Sequence, residues 1–288
     1  MNDTQRSSNV LTKQLRIAQL ARERPSECFT ALNHYLDLEW LQEAYQRVRG
    51  DSAPGCDGQT VLDYGKDLEK NLCGLLDRAK SGSYFAPPVL RVYIPKDDGK
   101  ETRPIGMPTV EDKILQRAGV MLLEPIYEQD FLSCSHGFRP GHSAHEALAS
   151  LGSQARHIRV RWIVDVDIRK FFDTLKHGYL MDILRQRVRD GVILRLIGKW
   201  LQAGVLEAGQ VSYPEAGTPQ GGVISPLLSN IYLHTVLDQW YQEQVKPCLK
   251  GRSFLVRYAD DFVMGFELQA DTPTRCFACC SNASRNLA

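Results

Sequence analysis

Apolar and charged positions alternate at helical spacing from residue 11 to about residue 50, and in LDLEWLQEAYQRV the side chains of Leu38, Leu41 and Tyr45 fall on one face. The turn residues Pro54, Gly55 and Gly58 of APGCDG break this pattern. DLEKNLCGLLDRAKSG restores it and predicts a helix stopped by Gly82. The period then changes. VLRVYIPK, from Val89 to Lys96, is β-rich, and the polar turn DDGK separates it from ETRPIGMP. That predicts a hairpin with Lys96 on one arm and Arg103 on the other.

VEDKILQRAGVMLLEPIYEQ returns to the 3.6-residue period of a helix packed on a core. SCSHGFRPGHSAHEAL is a Gly/Pro-rich loop containing Arg139, followed by Ser143 as the N-cap of another helix. VRWIVDVDIRKFFDTL predicts a buried strand from Val160 to Val166 that turns helical after Asp167. LMDILRQRV and ILRLIGKWLQAG read as amphipathic helices, and GTPQGGVISPLLSNIYLHTVLDQWY as a Gly-rich turn leading into a long apolar helix from about Ser225. FLVRYADDFVMGFEL places two β-rich arms around Asp260 and Asp261, a second hairpin. Helices mixed with hairpins, without alternating βα units, predict an α+β fold with an antiparallel sheet.

Composition narrows the picture only in places. The 288 residues are 43% hydrophobic and 24% charged, enough for one large core or two modest ones. A net charge of +1 means that nucleic-acid contact must rest on local patches such as RHIRVRW and RQRVRD, which otherwise read as solvated faces. No apolar run approaches the length of a membrane span, and MNDTQRSSNV lacks the apolar core of a signal peptide, so the expectation is a cytoplasmic protein. Cys276, Cys279 and Cys280 cluster in CFACC, but without a second ligand pair they do not read as a zinc site. His136, His142 and His145 are ligand types with GFRPG among them; the expectation is a loop-ordering or RNA-backbone role, not a metal.

Aspartate is disfavoured in strands, and charges inside apolar strands need a partner or a cation. Asp165 and Asp167 of VDVD and Asp260 and Asp261 of YADD are such charges. If both strands share one sheet, their carboxylates converge on one edge, an arrangement of hard oxygen ligands that suits Mg²⁺ and phosphoryl transfer. Lys96 and Arg103 can neutralise a triphosphate, Gly221 and Gly222 allow close backbone approach to a ligand, and Gln220 offers a donor and an acceptor. Phe172, beyond the turn after Asp167, is placed to pack on a sugar. Asp173 reads as a helix-face residue, and Trp40 and Tyr45 as core.

Taken in order, IPK followed by RPIGMPT, then GFRPGHSAHEAL, VDVDIRKFFD, GTPQGGVISPLLSNIYLH and YADD resemble a bacterial group II intron-encoded reverse transcriptase/maturase over Ala53 to Phe266. The resemblance implies a right-hand polymerase: an N-terminal helical extension (1–52), fingers (53–155), an incomplete palm with an antiparallel sheet (156–270), an aberrant tail (271–288) and no thumb. It implies Asp167 and Asp260 as principal metal ligands, with Asp261 assisting and the Ile168 carbonyl completing a Mg²⁺ site that Mn²⁺ can also fill. Lys96 and Arg103 would hold the dNTP phosphates, Phe172 would exclude ribonucleotides and Gln220 would lie beside the dNTP. Asp165 is not expected to be a ligand. Arg139 is either a loop-to-core tie or a contact to template RNA, and Tyr258 either packs in its strand or lies beside the primer end. The implied partners are an RNA template, a DNA primer, dNTPs and group II intron RNA, with no membrane.

The family continues beyond its YADD hairpin, whereas DTPTRCFACCSNASRNLA has no apolar periodicity. One nucleotide string can encode this tail and, in another frame, ANALLRLLQQRLAKFGL, an amphipathic helix. The expectation is therefore a frameshifted product with weak or absent polymerase activity. The rival readings are a catalytically inactive RNA-binding remnant and a reverse transcriptase of the retron or diversity-generating kind.

Overall fold

A computed structural model describes residues 3–95, 102–168, 171–213, 216–217 and 221–272. In chain order it contains helices α1 (Asp3–Glu23), α2 (Leu38–Gln46), α3 (Val61–Gly65) and α4 (Leu68–Ser81), then strands β1 (Val89–Pro95) and β2 (Thr102–Met107). Helices α5 (Val110–Tyr127) and α6 (Ala144–His157), strand β3 (Trp162–Asp167) and helices α7 (Phe171–Thr174), α8 (His177–Arg187) and α9 (Gly191–Leu201) follow. Strands β4 (Val205–Glu207) and β5 (Gln210–Ser212), helix α10 (Ser225–Leu233) and strands β6 (Ser253–Tyr258) and β7 (Asp261–Phe266) complete the order. The chain forms two compact units: Met1–Asp130 with Phe172–Ser225, and Phe131–Phe171 with the residues from Pro226 onward.

The first unit is built around α5, which is buried along most of its length and carries α1 and α2 against it. Trp40 is fully buried and donates from Nε1 to the Ala118 carbonyl at 3.1 Å; Tyr45 is half-buried and stacks on Tyr64. Helix α4 ends at Gly82 with φ of 87°, a left-handed cap that glycine adopts without a steric cost. Asp190 is fully buried and caps α9 by accepting from Val192 N and Ile193 N. It also accepts from Leu32 N at 2.7 Å and Asn33 N at 2.8 Å, fastening the segment before α2 to the α8–α9 corner.

The sheet of this unit runs β2-β1-β4-β5. The expected β1–β2 hairpin is present, with Leu90 opposite Met107 and Ile94 opposite Arg103, while Lys96 lies outside the described residues. Strand β4 pairs with β1 in parallel and with β5 through a turn in which Ala208 and Gly209 both have positive φ. Apolar periodicity does not reveal this second hairpin, because arms of three residues are too short to show a period of two. The parallel pairing makes the sheet mixed instead of purely antiparallel.

Asp112 of α5 is held by neutral donors: the Tyr84 hydroxyl at 2.6 Å and Gln116 Nε2 at 3.0 Å. Burial pushes its pKa up to about 6. Between about pH 4 and pH 6 the folded chain keeps a proton that the unfolded chain has released, so this group's stabilisation is lost as pH rises through that window, by about 3 kcal/mol. In Asp112→Asn that component is absent. Urea unfolding at about pH 4.5 and about pH 6.5 should show a smaller loss for the variant than for the parent.

The second unit is a three-stranded antiparallel sheet in the order β3-β7-β6, with α6 packed on β6. Ala147, Ile158, Phe254 and Val256 form its buried cluster, with Leu151, Ala155 and Val160 around them. Ser143 caps α6 as expected, in a reciprocal capping box with Glu146. The expected buried strand from Val160 is corrected on two points. Strand β3 starts at Trp162, and Trp162 and Ile163 are 42% and 59% exposed. Among the described residues it is one of the two outer strands of the sheet, and an apolar run by itself does not distinguish an outer strand from a central one. The long helix predicted from Ser225 continues past Leu233 as π-helical turns, His234–Gln239 and Tyr241–Val245.

Candidate active site

Strand β3 ends on Asp167 and β7 begins on Asp261, and antiparallel pairing sets these residues directly opposite each other. Asp165 lies two positions earlier on the same face of β3, because side chains alternate along a strand. Asp260 sits in the turn between β6 and β7. Asp261 is exposed as a residue, yet partial burial of its carboxyl raises its pKa, and Asp260, Asp167 and Asp165 push it in the same direction. Three neighbouring carboxylates, Asp165, Asp167 and Asp260, each disfavour the ionisation of Asp261, and side chains of this kind are the hard oxygen ligands that suit a divalent cation.

The turn that carries Asp260 is strained and strongly supported. Ala259 has φ of 57°, a left-handed conformation that costs a non-glycine residue roughly 1 kcal/mol. Arg257, fully buried at the end of β6, donates from Nη1 to the Ala259 carbonyl at 2.8 Å and to Asn230 Oδ1 at 2.9 Å. Its Nε and Nη2 form a bidentate pair with the fully buried Asp238, at 2.8 and 2.6 Å. Arg257 N donates to the Cys134 carbonyl and its carbonyl accepts from His136 N, so the loop before α6 is stitched to β6. Asn230 Nδ2 closes the network by donating to the Gly137 carbonyl at 2.8 Å. The sequence reading missed Arg257, Asp238 and Asn230. The rule applied to the aspartates would have found the first two, since each is a charge inside an apolar segment.

Of the other expected site residues, Ile168 follows β3 and is half-buried. Tyr258 is 40% exposed and faces Asp261 in the register of β6 and β7. Arg139 donates from Nη1 to the carbonyls of Leu132 at 3.0 Å and Ser135 at 2.7 Å, and its guanidinium lies over the Phe131 ring; it is a loop-to-core tie. Arg103 is exposed on β2, and Phe172 is half-buried in α7; both belong to the first unit. Gln220 lies outside the described residues. Gly221, with φ of 109°, makes its close backbone approach to its own chain, because a Cβ there would meet the Gly106 carbonyl at 2.3 Å.

The antiparallel sheet thus sets Asp167 opposite Asp261 at one strand end, with Asp260 in the adjoining tight turn. Residues 94–286 match the family model described as reverse transcriptase (RNA-dependent DNA polymerase). The chain belongs to the reverse transcriptase family, and its relatives place it with the group II intron-encoded reverse transcriptase/maturase proteins. It is 39% identical over 259 residues to protein YkfC of Escherichia coli (strain K12), covering 78% of this chain and 67% of that protein. It is also 39% identical over 224 residues to the group II intron-encoded protein LtrA of Lactococcus lactis subsp. cremoris, covering 76% of this chain and 36% of LtrA. The chain thus spans about two thirds of one relative's length and about a third of the other's. A chain of a partial Cas6-RT-Cas1–Cas2 complex shares the fold, with a TM-score of 0.50 and 22% identity over 83% of this chain and 39% of that one. Among the described residues, no helix is long and apolar enough to cross a membrane.

Proposed function

We propose that this chain carries the catalytic centre of RNA-directed DNA synthesis, extending a DNA primer on an RNA template and serving a group II intron RNA. The register that sets Asp167 opposite Asp261, next to the strained Ala259–Asp260 turn, is the observation that carries the reading. Asp167, Asp260 and Asp261, with the Ile168 carbonyl, would hold Mg²⁺, and Mn²⁺ would satisfy the same oxygens. Two such ions, when bound, stabilise the attacking and leaving oxygens of an in-line displacement at phosphorus. The residues' own part is to fix those oxygens on paired strand ends. Arg103 and Lys96 would neutralise dNTP phosphates, Phe172 would crowd a ribose 2′-hydroxyl and Gln220 would contact the nucleotide. Tyr258 would lie by the primer end, and Arg139 would order the loop facing the template. In the right-hand description residues 53–155 would form the fingers and residues 156–270 the palm, and a maturase role would accompany the polymerase.

Primer extension on an RNA template with dNTPs and Mg²⁺ tests this, alongside Mn²⁺ binding followed by electron paramagnetic resonance. Asp260→Ala should remove whatever extension the parent shows, which is expected to be weak, and should weaken Mn²⁺ binding. Unchanged Mn²⁺ affinity in the variant would count against the site.

A further inference from the structure

A second group of metal-binding side chains lies in the loop before α6 and in that helix's first turn. His136, His142 and Glu146 each offer a ligand atom, and the three atoms lie within 4.8 Å of one another. Among the described residues no other group of histidine, cysteine or acidic side chains draws together so closely, the catalytic-site aspartates included. His136 Nδ1 stands 3.4 Å from His142 Nδ1, and His142 Nδ1 stands 3.6 Å from Glu146 Oε2. The Glu146 carboxylate is fixed in place, because Oε2 also accepts from Ser143 N at 3.2 Å in the capping box.

The protein's own hydrogen bonds leave this group unsatisfied. His136 is only 7% exposed, and the ring nitrogen it turns toward the group is Nδ1. Its Nδ1 faces another imidazole nitrogen, so one shared proton can serve that contact but cannot also serve the carboxylate beside it. The spacing fits a small ion. Zinc–nitrogen bonds of about 2.0–2.1 Å in a tetrahedron place neighbouring ligand atoms roughly 3.3 Å apart.

We propose that His136, His142 and Glu146 form a binding site for a borderline divalent transition-metal ion, Zn²⁺ foremost, with its fourth position open to solvent or a further ligand. Two imidazoles and a carboxylate suit Zn²⁺, whereas Mg²⁺ takes oxygen ligands, so this site and the aspartate site differ in the metal they select. The bound ion ties α6 to residue 136, whose backbone is bonded to Arg257 of β6. It thereby braces the loop whose Gly137 lies against the Ala259 backbone. The sequence reading grouped His136 and His142 with His145 and expected no metal. The fold supplies Glu146 in place of His145, four residues after His142. The proposal does not depend on the polymerase reading.

The test uses the full 288-residue chain with Cys276→Ser, Cys279→Ser and Cys280→Ser as background, so that CFACC cannot contribute. Saturating Mg²⁺ occupies the aspartates. Zn²⁺ is titrated against a chromophoric chelator, and Co²⁺ substitution is followed by its visible d–d absorption. One Zn²⁺ per chain is expected, and His142→Gln should weaken binding ~100-fold and abolish the Co²⁺ absorption while far-UV circular dichroism stays the same. Glu146→Gln retains an acceptor for the capping bond and should weaken binding as well, which separates ligand loss from misfolding. Equal Zn²⁺ affinity in parent and His142→Gln would overturn the site. So would stoichiometric zinc that disappears in the triple-serine background.

Discussion

Arg257→Met is expected to cost about 3–5 kcal/mol, a large fraction of the 5–15 kcal/mol that holds a typical domain together. The substitution keeps an unbranched apolar stem and removes the guanidinium. Asp238 is then left as a buried carboxylate without its bidentate partner, since both side chains are completely inaccessible to solvent in the parent. His234 Nδ1, 4.0 Å from Asp238 Oδ2, is too distant to substitute for it. The Ala259 carbonyl and Asn230 Oδ1 lose the same donor. Urea unfolding of the parent, Arg257→Met, Asp238→Leu and the double variant forms a complete cycle. The double variant should lose less than the sum of the singles and less than either alone, because the penalty arises from the unpaired charge. A sum that is simply additive would mean that the pair is not coupled.

The second large effect is predicted for a single methyl group. In Gly137→Ala the new Cβ would stand 2.2 Å from Ala259 N and 3.0 Å from both Ala259 Cα and Tyr258 C. These are backbone atoms of the turn that presents Asp260, and Arg257 and Asn230 hold both sides of the contact. No side chain can move away to relieve it, so the turn itself must shift, at a cost of about 1–3 kcal/mol of overpacking. On the reading that the aspartates bind Mn²⁺, the variant should lose roughly tenfold or more in affinity, as for a displaced supporting shell. Gly152→Ala is the matched control. It lies within α6, where the new methyl meets nothing nearer than an Arg156 nitrogen at 3.5 Å. Replacing a helix-interior glycine should be neutral or stabilising by up to about 1 kcal/mol, with Mn²⁺ affinity unchanged.

The aspartates themselves were legible because charge inside an apolar strand is an anomaly that a sequence displays openly. The pairing of β3 with β7 was legible only conditionally: two strands with acidic ends could be named, but nothing local states that they share a sheet or a register. The support behind the aspartates was harder to read. Arg257 sits in FLVRY and Asp238 in LHTVLDQWY, nineteen residues apart, and only the fold shows that each is the other's counter-charge. The β4–β5 hairpin escaped for want of length, and the exposure of Trp162 and Ile163 for want of any local mark of an outer strand. His136 and His142 were noted and set aside. The carboxylate that completes their group belongs to a capping motif, and a reading that explains Glu146 as a cap does not look to it for a second role.

The two units are built from interleaved stretches, the first from residues up to 130 and then 172–225, the second from 131–171 and then from 226 onward. During synthesis this order imposes a wait. Strand β3 leaves the ribosome with Asp167 at its end, but β7, the strand it pairs with, follows about ninety residues later. At 5–20 residues per second that interval is roughly 5–20 s, during which the β3 edge and the apolar Trp162 and Ile163 have no sheet to join. Nascent chains of this protein should therefore be most vulnerable to protease and aggregation, and most dependent on chaperones, in the interval between the emergence of Asp167 and that of Phe266.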